Sequence, residues 1–180
     1  MGFSFLSSSS LSALAVPILE EISAAIHESS SLCTLEGDEI VYLAPSATRR
    51  VMSVVLSIGS RLPAYCTSMG PVMLAAITRE ELGAYLERVE LHRLTPKTIV
   101  GKNGLTAELK RVREQEYALV DEELEVGLRS LTVPVRTRSG RVVAAMNTGV
   151  HAARVTPSEM IRRFLPVLRE GADRLAIALG

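Results

Sequence analysis

Two runs near the end of the chain, Leu128–Thr137 and Arg141–Gly149, flank the tripeptide Arg138-Ser139-Gly140. Stretches rich in Val, Thr and Leu, separated by a short turn with a glycine, are the strongest local signal for a β-hairpin. A long hairpin is not stable alone and needs an apolar layer on at least one face. The chain supplies one immediately afterwards. Thr156-Pro157-Ser158-Glu159 reads as a helix start, with Pro157 at its first position. Ile161, Phe164, Leu165, Leu168, Ala172, Leu175 and Leu179 then recur on one helical face.

The N-terminal half repeats this logic. Ser7–Ser10 is a low-complexity start with a candidate helix cap. Leu11, Leu14, Ala15, Ile18, Ile22, Ala25 and Ile26 follow at helical spacing, and Pro17 is expected to kink that helix or mark its true start. Ser31–Leu35 and Glu39–Ala44 read as strands around a Glu36-Gly37-Asp38 turn, and Arg50–Ile58 as a third strand ending at Gly59. Leu74–Ile77 and Leu82–Val89 read as helical pieces, the second capped by Thr78. Leu94–Lys102 reads as a loop and Leu105–Glu116 as an amphipathic helix. The order is helix, hairpin, strand, helices, strand, hairpin, helix. It predicts an α+β domain with a mainly antiparallel sheet, spanning residues 1–180 without an internal repeat or linker.

Charge narrows the function. The 20 basic and 20 acidic side chains cancel and are interspersed. A duplex-binding surface concentrates positive charge instead, so this chain is not expected to bind operator DNA by itself. Cys33 and Cys66 lack any CxxC or metal-ligand spacing. They read as small buried hydrophobes in a reducing compartment, with a single disulfide as the less favoured alternative. No apolar run approaches membrane-spanning length, and the Ser-rich segment 3–16 has no basic n-region of a signal peptide. A cytoplasmic protein without membrane contact is expected.

Catalytic signatures are missing. The sequence has no GxSxG elbow, no phosphate-binding GxxxxGK[ST] loop and no HExxH. His27, His92 and His151 lie in separate segments, and the acidic run Asp121–Glu125 reads as a solvated face favoured near a helix start. No enzyme activity, catalytic residue, metal or cofactor is expected. Two stretches stand out instead. Gly59–Pro71 leaves a strand through small residues and enters a helix, as an anion-binding corner or merely a capped helix start would. On the last strand, Val143, Ala145, Asn147 and Gly149 should share one side, so a polar Asn147 and a bare Gly149 either floor a small cavity or mark a strand end reaching solvent.

In order and spacing, the segments GDEIVYLA, TRRVMSVVLSIGSRLPAYCTSMG, YALVDEELEVGLRSLTVPV and SGRVVAAMN resemble the effector-binding domain of the isocitrate-lyase-regulator (IclR) family of transcriptional regulators. The similarity runs from about Leu11 to Leu179, and the long central block is similar to the branch that governs β-ketoadipate and aromatic-acid catabolism. It implies a GAF-like fold, a curved antiparallel sheet with helices on both sides. It also implies a winged helix-turn-helix domain ahead of this one; none is present in this sequence, and the start at Met1-Gly2 reads as a truncated product. The implied ligand-binding residues are Ser68, Met69 and Gly70 at the helix start, Ser130, Asn147 and Gly149 on the last hairpin, and Leu56 as an apolar wall. Relatives that bind small keto acids tend to have hydroxyl residues where Asn147 and Gly149 stand and an acidic residue near Val120. The departure favours an aromatic or dicarboxylic acid. Pro45 and Pro71 stand where this branch would carry a basic residue.

The implied partners are a small carboxylic-acid effector and further copies of the chain, as homodimer or tetramer, with operator DNA reached only through the missing N-terminal domain. A carboxylate held on the Ser68–Gly70 amides would shift the balance between subunit arrangements. Two rivals remain open: a GAF-like enzyme, for which Cys66 would be the reactive group, and a ligand-free dimerisation module with an apolar-filled interior.

Overall fold

Gly37 takes φ +61°, the positive value required at the first position of a two-residue hairpin turn. It joins β1 (Ser29–Glu36) to β2 (Glu39–Ser46) with Glu36 opposite Glu39. Gly140 (φ +87°) closes the loop between β5 (Leu128–Arg136) and β6 (Val142–His151), where the Thr137 N–H donates to the Arg141 carbonyl at 2.8 Å. Both hairpins lie where the sequence places them. The computed structural model describes residues 2–46 and 57–180, with side chains for 9–44 and 57–180.

The two hairpins meet edge to edge. β1 pairs with β6, β3 (Arg61–Pro63) extends the sheet beyond β2, and β4 (Ala118–Asp121) beyond β5. The result is one antiparallel sheet in the order β3-β2-β1-β6-β5-β4. One face is covered by the terminal helices α1 (Gly2–Ile26) and α5 (Pro157–Leu179), whose Ala15, Leu19, Phe164 and Leu168 pack on Leu131, Val133 and Met146. The other is covered by α2 (Met69–Leu74), α3 (Arg79–Arg88) and α4 (Lys102–Gln115), where Met69, Leu74, Tyr85 and Leu109 pack on Cys33, Ile40 and Ala145. Each fully buried large aliphatic or aromatic side chain stabilises the fold by about 1.5–3 kcal/mol, so both layers are needed.

Local signals explain where helices begin. Thr156 and Glu159 form a reciprocal capping box at the start of α5, and Thr78 and Glu81 form another at α3. Pro157 sits in the first turn, where its missing N–H costs nothing. Gly171 on α5 brings that helix against α1, since a Cβ there would lie 2.5 Å from Ile22 Cδ1.

Several expectations need correction. Pro17 does not start α1, which runs through it from Gly2 to Ile26. The third strand expected at Arg50–Ile58 lies mostly outside the described residues. Ser57–Gly59 form a turn, and the strand that follows is the short β3. The segment Ser9–Ile26 does reach membrane-spanning length, with mean hydropathy 1.4. In this fold its Leu11, Ala15, Ile18, Leu19 and Ile22 face the sheet and α5. Val143 does not share a side with Ala145, because a β-bulge opposite Val135/Arg136 makes it an extra residue, packed on the α1/α5 side.

Helix α2 is seated by one close approach. A Cβ on Gly70 would fall 1.6 Å from the Ala64 carbonyl oxygen, a rigid backbone atom that cannot step aside. Gly70→Ala is therefore expected to destabilise the domain by about 3 kcal/mol or more, read as a lower urea midpoint at an unchanged slope.

Candidate functional site

On the α2 side of the sheet, the cross-strand register assembles a polar patch from residues far apart in sequence. Ser31 of β1, Asn147 of β6 and Thr132 of β5 stand side by side in one rung, and Ser29, Gly149 and Ser130 form the next. The neighbouring rung of Cys33, Ala145 and Pro134 is apolar. Ser130 and Asn147 are each 8% exposed and Thr132 is fully buried. Polar groups at such depth must be hydrogen-bonded or must await a partner.

Ser68, the residue before α2, closes over this patch. Thr132 Oγ1 donates to Ser68 Oγ at 2.6 Å, and Ser31 Oγ donates to Asn147 Oδ1. Gly149 keeps the second rung open: a Cβ there would reach ordinary contact with Leu128 Cδ1 at 3.6 Å and Ser130 Oγ at 3.7 Å. Four of the residues singled out from sequence, Ser68, Ser130, Asn147 and Gly149, thus converge on one buried face.

The other three stand differently. Met69 is 1% exposed and its side chain belongs to the apolar layer under α2. Gly70 does not offer its amide, which donates to Thr67 Oγ1 at 3.1 Å. Thr67, not Ser68, therefore caps this helix; Ser68 has helical φ/ψ and makes no side-chain cap. With six residues, α2 carries little dipole, so the donors in this corner are side chains more than a row of free amides. Pro71 lies inside α2 and not at its first position. Leu56 lies outside the described residues.

Thr132, Ser31 and Ser29 were missed by sequence reading. Alternation places Thr132 on the face of Ser130, but only the pairing of β1 with β6 reveals that two serines near the chain start adjoin Asn147.

The acidic run beside the patch is not a free solvated face. Asp121 receives Arg129 and Lys97, both at 2.8 Å, and Glu122 receives Lys97 at 2.7 Å and the Gly127 N–H at 2.8 Å. Burial raises the Asp121 carboxyl, but these two cations outweigh it and hold the group below its usual range. Thr98 Oγ1 donates to the Glu123 carbonyl at 2.7 Å, tying the 95–98 loop to this turn. Among the described residues, no group of three or more His, Cys, Asp or Glu side chains gathers into a metal site. A separate cleft of about 210 Å³ lies at the far end of α2, bounded by Val72, Val112, Arg113 and Arg136. Arg113 there donates to the Ala75 carbonyl at 2.9 Å and Arg136 to Glu116 at 2.8 Å, so neither awaits a ligand.

The family described as bacterial transcriptional regulator IclR, C-terminal, matches residues 3–177. The chain belongs to that family. It is 48% identical over 169 residues to the Pca regulon regulatory protein of Pseudomonas putida, covering 93% of this chain and 58% of that one. It is 36% identical to the p-hydroxybenzoate hydroxylase transcriptional activator of Acinetobacter baylyi, covering 96% and 65%. This IclR-family chain therefore spans about three-fifths of the length of these relatives. Among solved structures, it resembles the inducer-binding domain of the PobR transcription factor from Acinetobacter, a double mutant in complex with 3-hydroxybenzoic acid. The identity is 33% and the TM-score 0.85, covering 92% of this chain and 97% of that one. The GAF-like α+β fold implied by the sequence resemblance is thereby borne out. The relatives carry the names of transcriptional regulators, not of enzymes.

Cys33 and Cys66 are both free and buried, and burial pushes the Cys66 thiol up to about 12. Neither should react with a thiol reagent at pH 8 on the timescale of an exposed cysteine, and both should react after denaturation. Fast labelling of the native protein would restore the enzyme reading that Cys66 would have to carry. Glu123 is raised to about 7, by burial first and by Glu108 second. The unfolded chain releases this proton near the ordinary carboxylate value and the folded one near 7, so stability falls as pH rises between them. Urea midpoints from pH 5 to pH 8 should show that fall, and Glu123→Gln should flatten it.

Proposed function

We propose that this chain is the effector-sensing domain of a transcriptional regulator of catabolic genes, and that it takes a small carboxylic acid, aromatic or dicarboxylic, on the polar patch beneath Ser68. The observation that carries the reading is the pair of polar rungs, Ser31-Asn147-Thr132 and Ser29-Gly149-Ser130, buried at Asn147, Thr132, Gly149 and Ser130 and set in an otherwise apolar layer. Small-molecule sites are largely apolar with a few convergent polar groups, and this patch has that composition. Asn147, Ser68 and Ser130 meet the acid head group, while Gly149 leaves room for the body of the ligand. The Ser68 and Met69 backbone adds to the anchor more than Gly70, whose amide is occupied. Leu56 as an apolar wall belongs to the same proposal.

The names of the relatives support the ligand class, since they include a Pca regulon regulator and an activator for p-hydroxybenzoate hydroxylase. The domain solved with 3-hydroxybenzoic acid supports it further. A collapsed dimerisation module fits less well, because it has no use for polar groups buried on this face. Binding acts by population shift: the acid stabilises one subunit arrangement by its differential affinity, with couplings of about 1–3 kcal/mol typical of such systems. Operator contact falls to a winged helix-turn-helix domain as the family resemblance implies, and the working protein is a cytoplasmic homodimer or tetramer.

A thermal-shift series with 3-hydroxybenzoate, 4-hydroxybenzoate, protocatechuate and β-ketoadipate tests the reading. An acid at about 100 times its Kd adds about 2.7 kcal/mol of stability, which appears as a clear rise in Tm. Asn147→Asp, which sets a negative charge against the head group, should abolish the rise while the protein remains folded. The same shift in Asn147→Asp as in the natural sequence would place the ligand elsewhere.

A further inference from the structure

Two hydrogen bonds on the inner sheet face decide which way the site's remaining hydrogen bonds point. Thr132 Oγ1 donates to Ser68 Oγ at 2.6 Å. A serine hydroxyl has one proton and two lone pairs, so Ser68 keeps its proton, and no acceptor among the described residues takes it. Ser31 Oγ donates to Asn147 Oδ1. That engages the carbonyl end of the amide and turns Nδ2 with its two protons away from Ser31; it too meets no acceptor among the described residues. Thr132 is fully buried, so no water competes for its proton, and turning it away from Ser68 would leave it unsatisfied.

The geometry points to Thr132 and Ser31 as positioning residues that each occupy one lone pair of Ser68 Oγ or Asn147 Oδ1 and leave the protons of both groups for a ligand, biasing the site toward an ionised carboxylate over the matching neutral carboxamide. The inference rests on the acid-binding role proposed above and extends it, because it assigns a specificity function to two residues behind the contact layer. A carboxylate brings two acceptor oxygens to the two donors, whereas a carboxamide brings only one and sets its N–H₂ against the other donor. A site whose buried polar groups are arranged for one hydrogen-bonding pattern rejects a ligand lacking it more strongly than shape alone does.

The test is calorimetric titration of the whole chain with 3-hydroxybenzoate and with 3-hydroxybenzamide, for the natural sequence, Thr132→Val, Thr132→Ser and Ser31→Ala. The natural chain should prefer the acid by about tenfold or more, as charge-assisted hydrogen bonds imply. Thr132→Val frees the Ser68 hydroxyl to rotate and to offer both lone pairs, and Ser31→Ala frees the Asn147 amide to turn over. Each should lower the acid-to-amide ratio by about three- to tenfold, and Thr132→Ser, which keeps the donor, should retain it. A merely structural role would weaken both ligands together and leave the ratio unchanged. An unchanged ratio in both Thr132→Val and Ser31→Ala, with the acid still bound, overturns the inference and leaves the acid-binding role standing. No binding of the acid by the natural chain defeats that role, and the inference with it. If Thr132→Val does not fold, the ratio in Ser31→Ala decides alone.

Discussion

Strand β6 is hydrogen-bonded to β1 on one edge and β5 on the other, and its residues from Ala144 to Val150 are buried on both faces. A strand in that position leaves little room for an unsatisfied polar side chain, because little water reaches it. Asn147 and Thr148 are nevertheless there. Thr148 solves the problem locally, donating to the Ser29 carbonyl at 2.8 Å. Asn147 is only half provided for, by Ser31. The helices follow from the same constraint, since a strand covered on both faces requires α1 and α5 on one side and α2 to α4 on the other.

Placement of α2 closes that half-satisfied strand into the candidate site. Gly70 allows the helix backbone to lie against Ala64, and Thr67 caps its start, which leaves the Ser68 side chain free to reach Thr132. Had Ser68 been the cap, its oxygen would have served the helix and not the sheet. The acidic turn 121–127 closes the adjoining end, clamped by Arg129 and Lys97. The Asp121 and Glu122 carboxylates are already paired, so they do not offset the donors that an acid would meet.

Much of the domain was legible in the sequence. Period-two runs around Gly37 and Gly140 marked the hairpins, Thr78 and Thr156 marked helix starts, and the apolar stripe of the last helix matches its buried face. The convergence of Ser68, Ser130, Asn147 and Gly149 came from family resemblance, and the strand register supports it. What failed was local in appearance and tertiary in origin. Pro17 was read as a kink or as the true helix start, but α1 begins at Gly2 and is held beyond Pro17 by the packing of Ile18, Leu19 and Ile22. Val143 was placed by alternation, and a bulge moved it to the other face.

By itself, the sequence determined the elements, their order and the turns between them, because periodicity and φ preferences act over a few neighbouring residues. It also determined family membership, which spans residues 3–177. Only the tertiary structure decided which polar groups meet. Ser31 and Asn147 are 116 positions apart, and Thr132 and Ser68 are 64 apart. Their hydrogen bonds exist because two hairpins pair edge to edge and a short helix is seated on them. The donor or acceptor character of each group is set by that partner, a property that no residue carries alone.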